Sequence, residues 1–472
     1  MTRRLTALVA AMVTSISAAE FQSGQAARAV IGQSSFSSHE AGIVAHALSA
    51  SRARLYAADA SNHLLTFDLT RIPGPKDDLS GRSGSACSVC GFSPIAVANQ
   101  AVTRGVATAA AYGKTVVLAD PSNHRVLIWR DTSLAALRPD VVLGHAAGSS
   151  SPISASTLTD PVSVAFDGKR LFVGDAALHR VLVWNNLPVY DDQPADVVLG
   201  QADFASTAAN DVAGASTVRN PAALVFDGTN LYVADAADRR ILVFTPGDTS
   251  LTADSVVNAA SLSATPLVAG GLATIRAKGY GDSSPVEVFL NGVPASVLST
   301  TAEEIQIQVP FDLGAGTAGS LYLRSEHANG TVTVTNAVAV RFANAFPGLY
   351  AFGGQEPRAG LLLHAGAFAE NGVPVTSESP AKPGEVITIW GTGLGDVSDD
   401  EDGTVVNALS AWIDGSAAEV VSAKLPHDAL GVYEIRIVLP ADAGAKERAE
   451  LYVSQAGNTS NTVTFPVERG NP

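Results

Sequence analysis

Charge is scarce in this chain and cysteine is nearly absent. Only 16% of the 472 residues are charged and 46% are hydrophobic, which excludes a disordered polymer and leaves enough apolar side chain for sizeable cores. Basic residues are in deficit, 30 against 45 acidic ones for a net charge of −15. That field repels phosphate backbones and anionic headgroups, so nucleic acid is not an expected partner. At about three times a usual domain of ~150 residues, the length predicts two to four domains.

Long hydrophobic runs are missing after the first 19 residues. The run from Leu5 to Ile16 is shorter than the ~20 residues that span a bilayer. It follows Arg3 and Arg4 and ends in Ser17, Ala18 and Ala19 before Glu20, the layout of a signal peptide over residues 1–19 cleaved after Ala19. No cysteine stands there to take a lipid. The mature chain is therefore expected to be secreted or otherwise extracytoplasmic, in the periplasm or at the cell surface, with no transmembrane segment.

The two cysteines, Cys87 and Cys90, form a Cys-x-x-Cys pair. In an oxidising compartment a small disulfide loop is the expected state. Gly91 stands where haem attachment needs His, a thioredoxin-like site lacks its βαβ setting, and zinc lacks two further ligands.

Catalytic motifs are equally sparse. Neither Gly-x-Ser-x-Gly nor His-Glu-x-x-His occurs. Gly113-Lys114-Thr115 lacks the upstream glycine of a phosphate loop, and Gly391, Gly393 and Gly395 end a strand with no helix to receive a phosphate. No catalytic residue, metal site or cofactor is predicted. Asp399, Asp400, Glu401 and Asp402 are the one carboxylate cluster that suggests calcium. Ser398 and Leu409 break the EF-hand order, and a solvated acidic loop is the preferred reading.

What the sequence does contain is repetition. A strand ending in Asp recurs four times, at Asp59, Asp120, Asp175 and Asp235, with spacings of 61, 55 and 60. Four residues after each come His63, His124, His179 and Arg239, then apolar runs such as Val126–Trp129, Val181–Trp184 and Ile241–Phe244. Such unbroken β-branched strands must be covered on both faces, as in sheets stacked like propeller blades. Asp167-Gly168 and Asp227-Gly228 mark hairpins before the Asp-ending strand. A fourth strand reads Asp140–His145 and Asp196–Gln201, weaker at Ile95–Gln100, and a further copy, Arg28–Gln33, precedes the first unit. That copy supplies the fourth strand of the last unit and closes the ring.

At Asn62-His63-Leu64 and Asn123-His124-Arg125 the chain resembles the NHL-repeat β-propellers, over residues 27–244. The resemblance implies a β-propeller, and the count of four repeats makes it four-bladed, a departure from the five or six blades often found in that family. Leu64 and Asp68 depart from the arginines (Arg125, Arg180, Arg240) and aromatics (Trp129, Trp184, Phe244) of the other repeats.

Residues 245–254 read as a linker. Beyond it a second duplication aligns Gly271–Gly281 with Glu385–Gly395, Asn291-Gly292 with Asp414-Gly415, and Ile305–Pro310 with Tyr433–Pro440. Short strands with Gly/Pro/Asn turns predict two β-sandwiches, residues 255–343 and 344–468. These resemble immunoglobulin-like TIG modules of secreted bacterial proteins. The expected fold is thus all-β: a four-bladed propeller followed by two sandwiches.

Asp59, Asp120, Asp175 and Asp235 are expected to accept backbone N–H groups and serve the repeat itself. Asn62, His63, Asn123, His124, His179 and Arg239 fall near one rim, where they either brace blades or edge a binding face. Equivalent points on separate blades lie too far apart for metal bonds of ~2 Å. The leading expectation is a binding or scaffold protein that presents a propeller face to a protein or glycan. Its rival is an extracytoplasmic lyase or hydrolase with a site in the central channel, as in some NHL-related enzymes.

Overall fold

The computed structural model describes residues 19–468 apart from 51–52, 61–62, 78–89, 95, 100–107, 132–137, 145–151, 210–211, 279, 281–284, 314–315, 366–371 and 399–402. The described residues are all-β, with strands, a few single 3₁₀ turns and no α-helix. None of their helical turns is long and apolar enough to cross a membrane.

Residues 29–244 form four antiparallel sheets of four strands. The strands are β1 (Ala29–Ile31), β2 (Ala45–Ala50), β3 (Arg54–Asp59), β4 (His63–Asp68), β5 (Ala96–Asn99), β6 (Ala109–Tyr112), β7 (Thr115–Asp120) and β8 (Arg125–Trp129). They continue as β9 (Val141–Leu143), β10 (Pro161–Phe166), β11 (Leu171–Asp175), β12 (Arg180–Trp184), β13 (Val197–Leu199), β14 (Pro221–Phe226), β15 (Leu231–Asp235) and β16 (Arg240–Phe244). The first three sheets run in sequence order, β2 to β5, β6 to β9 and β10 to β13. The fourth runs β14-β15-β16 and is completed by β1, with Ala29 opposite Val243, Val30 opposite Leu242 and Ile31 opposite Ile241. First strands neighbour one another across sheets: β6 lies beside β10, β10 beside β14, and β14 beside β2.

The apolar runs explain the stacking. In β11, β12, β15 and β16 every residue is buried, so both sheet faces are covered, as the lack of alternation requires. Where two sheets come closest, the side chain must be small. A Cβ on Gly174 would stand 2.7 Å from the Pro221 carbonyl oxygen and 2.3 Å from Ser163 Oγ, and Ser163 Oγ itself donates to Pro221 O at 2.8 Å. The other repeats hold alanine at this place, Ala58, Ala119 and Ala234.

The following unit differs from a two-sheet sandwich. Its eight strands form one continuous sheet wrapped round its own core. The cause is the long strand Val293–Thr300. Its residues 293–295 pair with residues 288–290 and its residues 296–300 with residues 305–308, so the partner changes between Ala295 and Ser296, and a register shift follows between Val297 and Ser299. The change of partner partway along its length lets one strand serve both halves. The last unit does have two sheets around a separate core, one built on Val386–Thr392 and Tyr433–Val438, the other on Leu409–Ile413 and Lys446–Gln455. The duplicated turns are alike, with Asn291-Gly292 at φ 51° and 73° and Asp414-Gly415 at φ 50° and 81°. Both residues of such tight hairpin turns need positive φ, which Asn, Asp and Gly tolerate.

The first two units are not tethered loosely. Phe289, Tyr322 and Ala337 belong to the same buried core as Phe21, Val30 and Ile241. Residues 245–254, expected as a linker, lie against the second unit: Asp248 N donates to Val334 O at 2.8 Å, Leu251 N to Asn336 Oδ1 at 2.7 Å, and Leu251 is buried.

Candidate functional site

The recurrent rim residues sit in the hairpins between the second and third strands of each sheet. His124, His179 and Arg239 adopt left-handed backbone, φ 56°, 53° and 53°, and each closes a turn by donating its N–H to the carbonyl three residues back, Pro121, Ala176 and Ala236. A left-handed residue after such a turn returns the chain to the third strand.

That geometry sends each residue toward the next sheet. Because a carbonyl only accepts, the His124 ring donates through Nδ1–H to Thr159 O, at the entry to β10. His179 Nδ1–H donates likewise to Arg219 O at 2.5 Å, at the entry to β14. Arg239 uses its carbonyl, which accepts from Ile43 N at 2.9 Å, before β2. His63 turns back on its own hairpin, its N–H donating to Asp59 Oδ1 at 2.9 Å. Asn123 donates to both Asp120 oxygens, at 3.0 and 2.9 Å. Asn62 lies outside the described residues. Among the described residues no three His, Cys, Asp or Glu side chains come together as a metal-holding group.

The repeated aspartates play two versions of one role. Asp175 and Asp235 are fully buried. Asp175 accepts the N–H groups of Thr159 and Asp160 at 3.0 and 2.9 Å, and Asp235 those of Arg219 and Asn220 at 3.0 and 2.9 Å. Burial pushes the Asp175 carboxyl above its ordinary value, opposed by those N–H groups and by Arg180. Asp59 and Asp120 are less enclosed, and the hydrogen bond from Arg125 holds Asp120 below its ordinary value. The partners of Asp175 and Asp235 precede the first strand, so the sequence marks the acceptors but not their donors.

Two arginines matter more than the motif alone suggests. Arg180 and Arg240 are fully buried. Arg180 donates to the carbonyls of Phe204, Ser154 and Thr157 at 2.7, 3.1 and 2.8 Å, and Arg240 to those of Phe36, Gly214 and Thr217 at 2.6, 3.1 and 2.8 Å. The fixed fork of guanidinium donors thus engages three carbonyls and ties two loops at once. The glutamine after the fourth strand does related work: Gln201 Nε2 donates to Ala208 O and His179 O, and Gln33 Nε2 to Glu40 O and Arg239 O.

Cys90 is disulfide-bonded. The chain's other cysteine, Cys87, lies outside the described residues, as do Asp399, Asp400, Glu401 and Asp402. That acidic stretch is bracketed by Ser398, whose N–H donates to Thr404 O at 2.7 Å.

The last unit holds a buried polar cluster that the sequence did not signal. His364 Nδ1 lies 2.6 Å from Glu385 Oε1, and Nε2 lies 3.1 Å from both the carbonyl oxygen and Oγ of Ser379. It has the composition of a nucleophile, base and orienting acid. The Ser379 carbonyl can only accept, so this contact is satisfied when Nε2 carries a proton, which then leaves no lone pair to activate Oγ. The arrangement clasps a loop.

Open clefts occur where the first and second units meet. A crevice of about 310 Å³ is lined by Lys76, Lys169, Arg170, Glu20 and Asp248, with Lys76 and Asp248 paired at 2.8 Å. Arg170 is held by Asp167 at 2.9 Å and stacks over Phe226 at 4.5 Å. A larger cleft of about 610 Å³ lies between the strap Gln22–Gln25, the loop after β13, and the second unit at Ser250–Ala253 and Asn336–Ala339.

No protein-family model matches the chain, and no curated protein matches it. Solved structures are similar to less than half of it. One is the Bacteroides ovatus mixed-linkage glucan utilization locus SGBP-B, solved with a mixed-linkage heptasaccharide, at 13% identity, covering 44% of this chain and 43% of that one, TM-score 0.13. Another is the set of fibronectin(III)-like modules of Clostridium thermocellum CbhA, at 13% identity, 47% and 89% coverage, TM-score 0.14. A third is the N-terminal Ig1-2 module of the Drosophila receptor protein tyrosine phosphatase DLAR, at 9% identity, 47% and 94% coverage, TM-score 0.15.

Proposed function

We propose that this chain is a secreted binding or scaffold protein, acting outside the cytoplasm after residues 1–19 are removed. In this reading residues 27–244 are a four-bladed NHL-type propeller closed by β1, and the two immunoglobulin-like units that follow are TIG-like modules. The partner is a protein or a glycan.

One observation carries the functional reading. The second unit inserts Phe289 and Tyr322, stacked at 5.1 Å, into the core of the first, so the two form one rigid surface with clefts along their junction. Rigid, prefolded surfaces bind with little ordering cost. The recurrent polar residues are meanwhile engaged by backbone: His124 and His179 by entry carbonyls, Arg180 and Arg240 by loop carbonyls. The propeller reading is supported by β1 completing the fourth sheet and by the succession of first strands β6, β10, β14 and β2. The connection between the first two sheets, residues 100–107, lies outside the described residues.

The test is a glycan array and an affinity capture from extracytoplasmic fractions, both using the chain from Glu20 to its end. Saturable, stoichiometric binding in either assay is expected. Failure in both, together with turnover of a glycoside, ester or lactone by the same preparation, would overturn the reading in favour of a hydrolase or lyase.

A further inference from the structure

We infer that the larger cleft at the junction of the first two units is a subsite for a neutral oligosaccharide, an inference that rests on the binding function proposed above. Three features of the cleft lead there.

First, its described lining carries no charge. More than half of the side chains are amides or hydroxyls, and the remainder are glycine or small apolar groups. In a chain of net charge −15 a cleft of about 610 Å³ without one described ionic side chain selects against charged ligands. A carboxylate or ammonium would lose hydration there and gain no counter-charge. The volume falls in the range of small-ligand sites.

Second, the backbone edges at the cleft are already occupied. Ser23 Oγ accepts from Val198 N and Gly24 N donates to Val198 O, which caps β13. Ala26 N takes the Ala337 carbonyl, and the Asn336 side chain is used by both N–H and C=O of Leu251. A peptide that binds by adding a strand needs such an edge open. None of these groups is available to it.

Third, what remains free suits hydroxyl groups. The side chains of Gln22, Ser216 and Ser250 line the cleft and make no hydrogen bond within the described residues. Each both donates and accepts. A sugar hydroxyl does the same, so these groups match a ring bearing several hydroxyls at fixed spacing. No aromatic ring lies in the described lining, so recognition is by hydrogen bonds and shape.

The test uses the full mature chain and calorimetric titration with cellohexaose, maltohexaose, xylohexaose and mannohexaose, with hexagalacturonate as the charged counterpart. At least one neutral hexamer should bind and hexagalacturonate should not. Ala202→Trp, a substitution at an exposed cleft residue, should weaken binding at least about tenfold by filling the cleft. Gln22→Ala should weaken it about threefold to tenfold, the worth of one net hydrogen bond. Retained near-ultraviolet dichroism shows that a variant still folds. If a neutral hexamer binds and Ala202→Trp leaves its affinity unchanged, the cleft assignment fails while the binding function stands. Preferred binding of hexagalacturonate, or no binding of any hexamer alongside capture of a protein partner, overturns the cleft assignment in the same way. Loss of all binding together with catalytic turnover overturns both.

Discussion

The Arg240 guanidinium donates to Asp235 Oδ2 at 3.1 Å, with neither side chain exposed to solvent. A second carboxylate, Asp238, lies 3.2 Å from the same guanidinium. A buried ion pair is held in place by its remaining hydrogen bonds, here three loop carbonyls, and removing one partner leaves the other charge uncompensated. Arg240→Leu places the residue that the first repeat already has at Leu64. It should nonetheless destabilise the chain by about 3–5 kcal/mol, read as a lower urea midpoint with an unchanged slope. A loss under about 1 kcal/mol would mean that water replaces the guanidinium and that the loops are tied elsewhere.

Ile31, fully buried opposite Ile241, tests whether the amino-terminal strand is integral to the fourth sheet. Ile31→Ala should cost about 2–5 kcal/mol, as for large-to-small changes in a packed core. It should also raise hydrogen exchange in Ile241–Val243 more than in Val181–Val183, the matching strand of the third sheet. Equal effects on the two strands would argue that β1 is peripheral.

These two sites also mark what was legible in the sequence. Recurrence of Asp and His at fixed spacing gave the four sheets, because each strand repeats with its turn, and Arg28–Gln33 matched a fourth strand by the same letters. The contacts of those letters were not legible. His124 and His179 meet backbone carbonyls 35 and 40 residues further on, and a carbonyl has no residue signature. Burial of Arg180 and Arg240 was hidden for a related reason, since arginine is seldom fully buried unless paired. The second unit was expected as two sheets. The strand Val293–Thr300 joins them by changing partner between Ala295 and Ser296, and a change of partner leaves little trace in a short alternating pattern. The neutral cleft arises where two units meet, and no local motif encodes it.

Asp238 supplies a dependence on pH. Burial first, and the Asp235 charge second, raise its carboxyl above the ordinary 3.8, opposed by Arg240, His39 and Arg219. The folded chain therefore binds this proton more tightly than the unfolded chain. The resulting stability is fully present below pH 3.8 and is lost as pH rises through the raised folded value. Asp238→Asn cannot titrate, so it lacks that loss. The stability advantage of the parent over Asp238→Asn should shrink as pH rises from the ordinary carboxylate value, about 4, through the raised folded value. Urea midpoints for both proteins across that interval test it, and a constant or widening gap would contradict the sign.

The His364 cluster separates a clasp from a catalyst. Both His364 and Glu385 are 1% exposed, and Glu385 Oε2 also accepts from Lys382 N at 2.8 Å. Glu385→Ala removes the buried partner of Nδ1 and the acceptor for that backbone group, so it should destabilise by about 3–5 kcal/mol. Ser379→Ala keeps the carbonyl that Nε2–H engages and removes only a hydroxyl contact, so it should cost no more than about 1.5 kcal/mol. A triad orders these residues differently: Ser379 would be indispensable to activity, and a fluorophosphonate would label it. While Nε2–H engages the Ser379 carbonyl the hydroxyl has no base, so it should stay unlabelled. Stoichiometric labelling at Ser379, abolished in His364→Ala, would show that the ring can release its hold on the carbonyl and would return a hydrolase to consideration in the last unit.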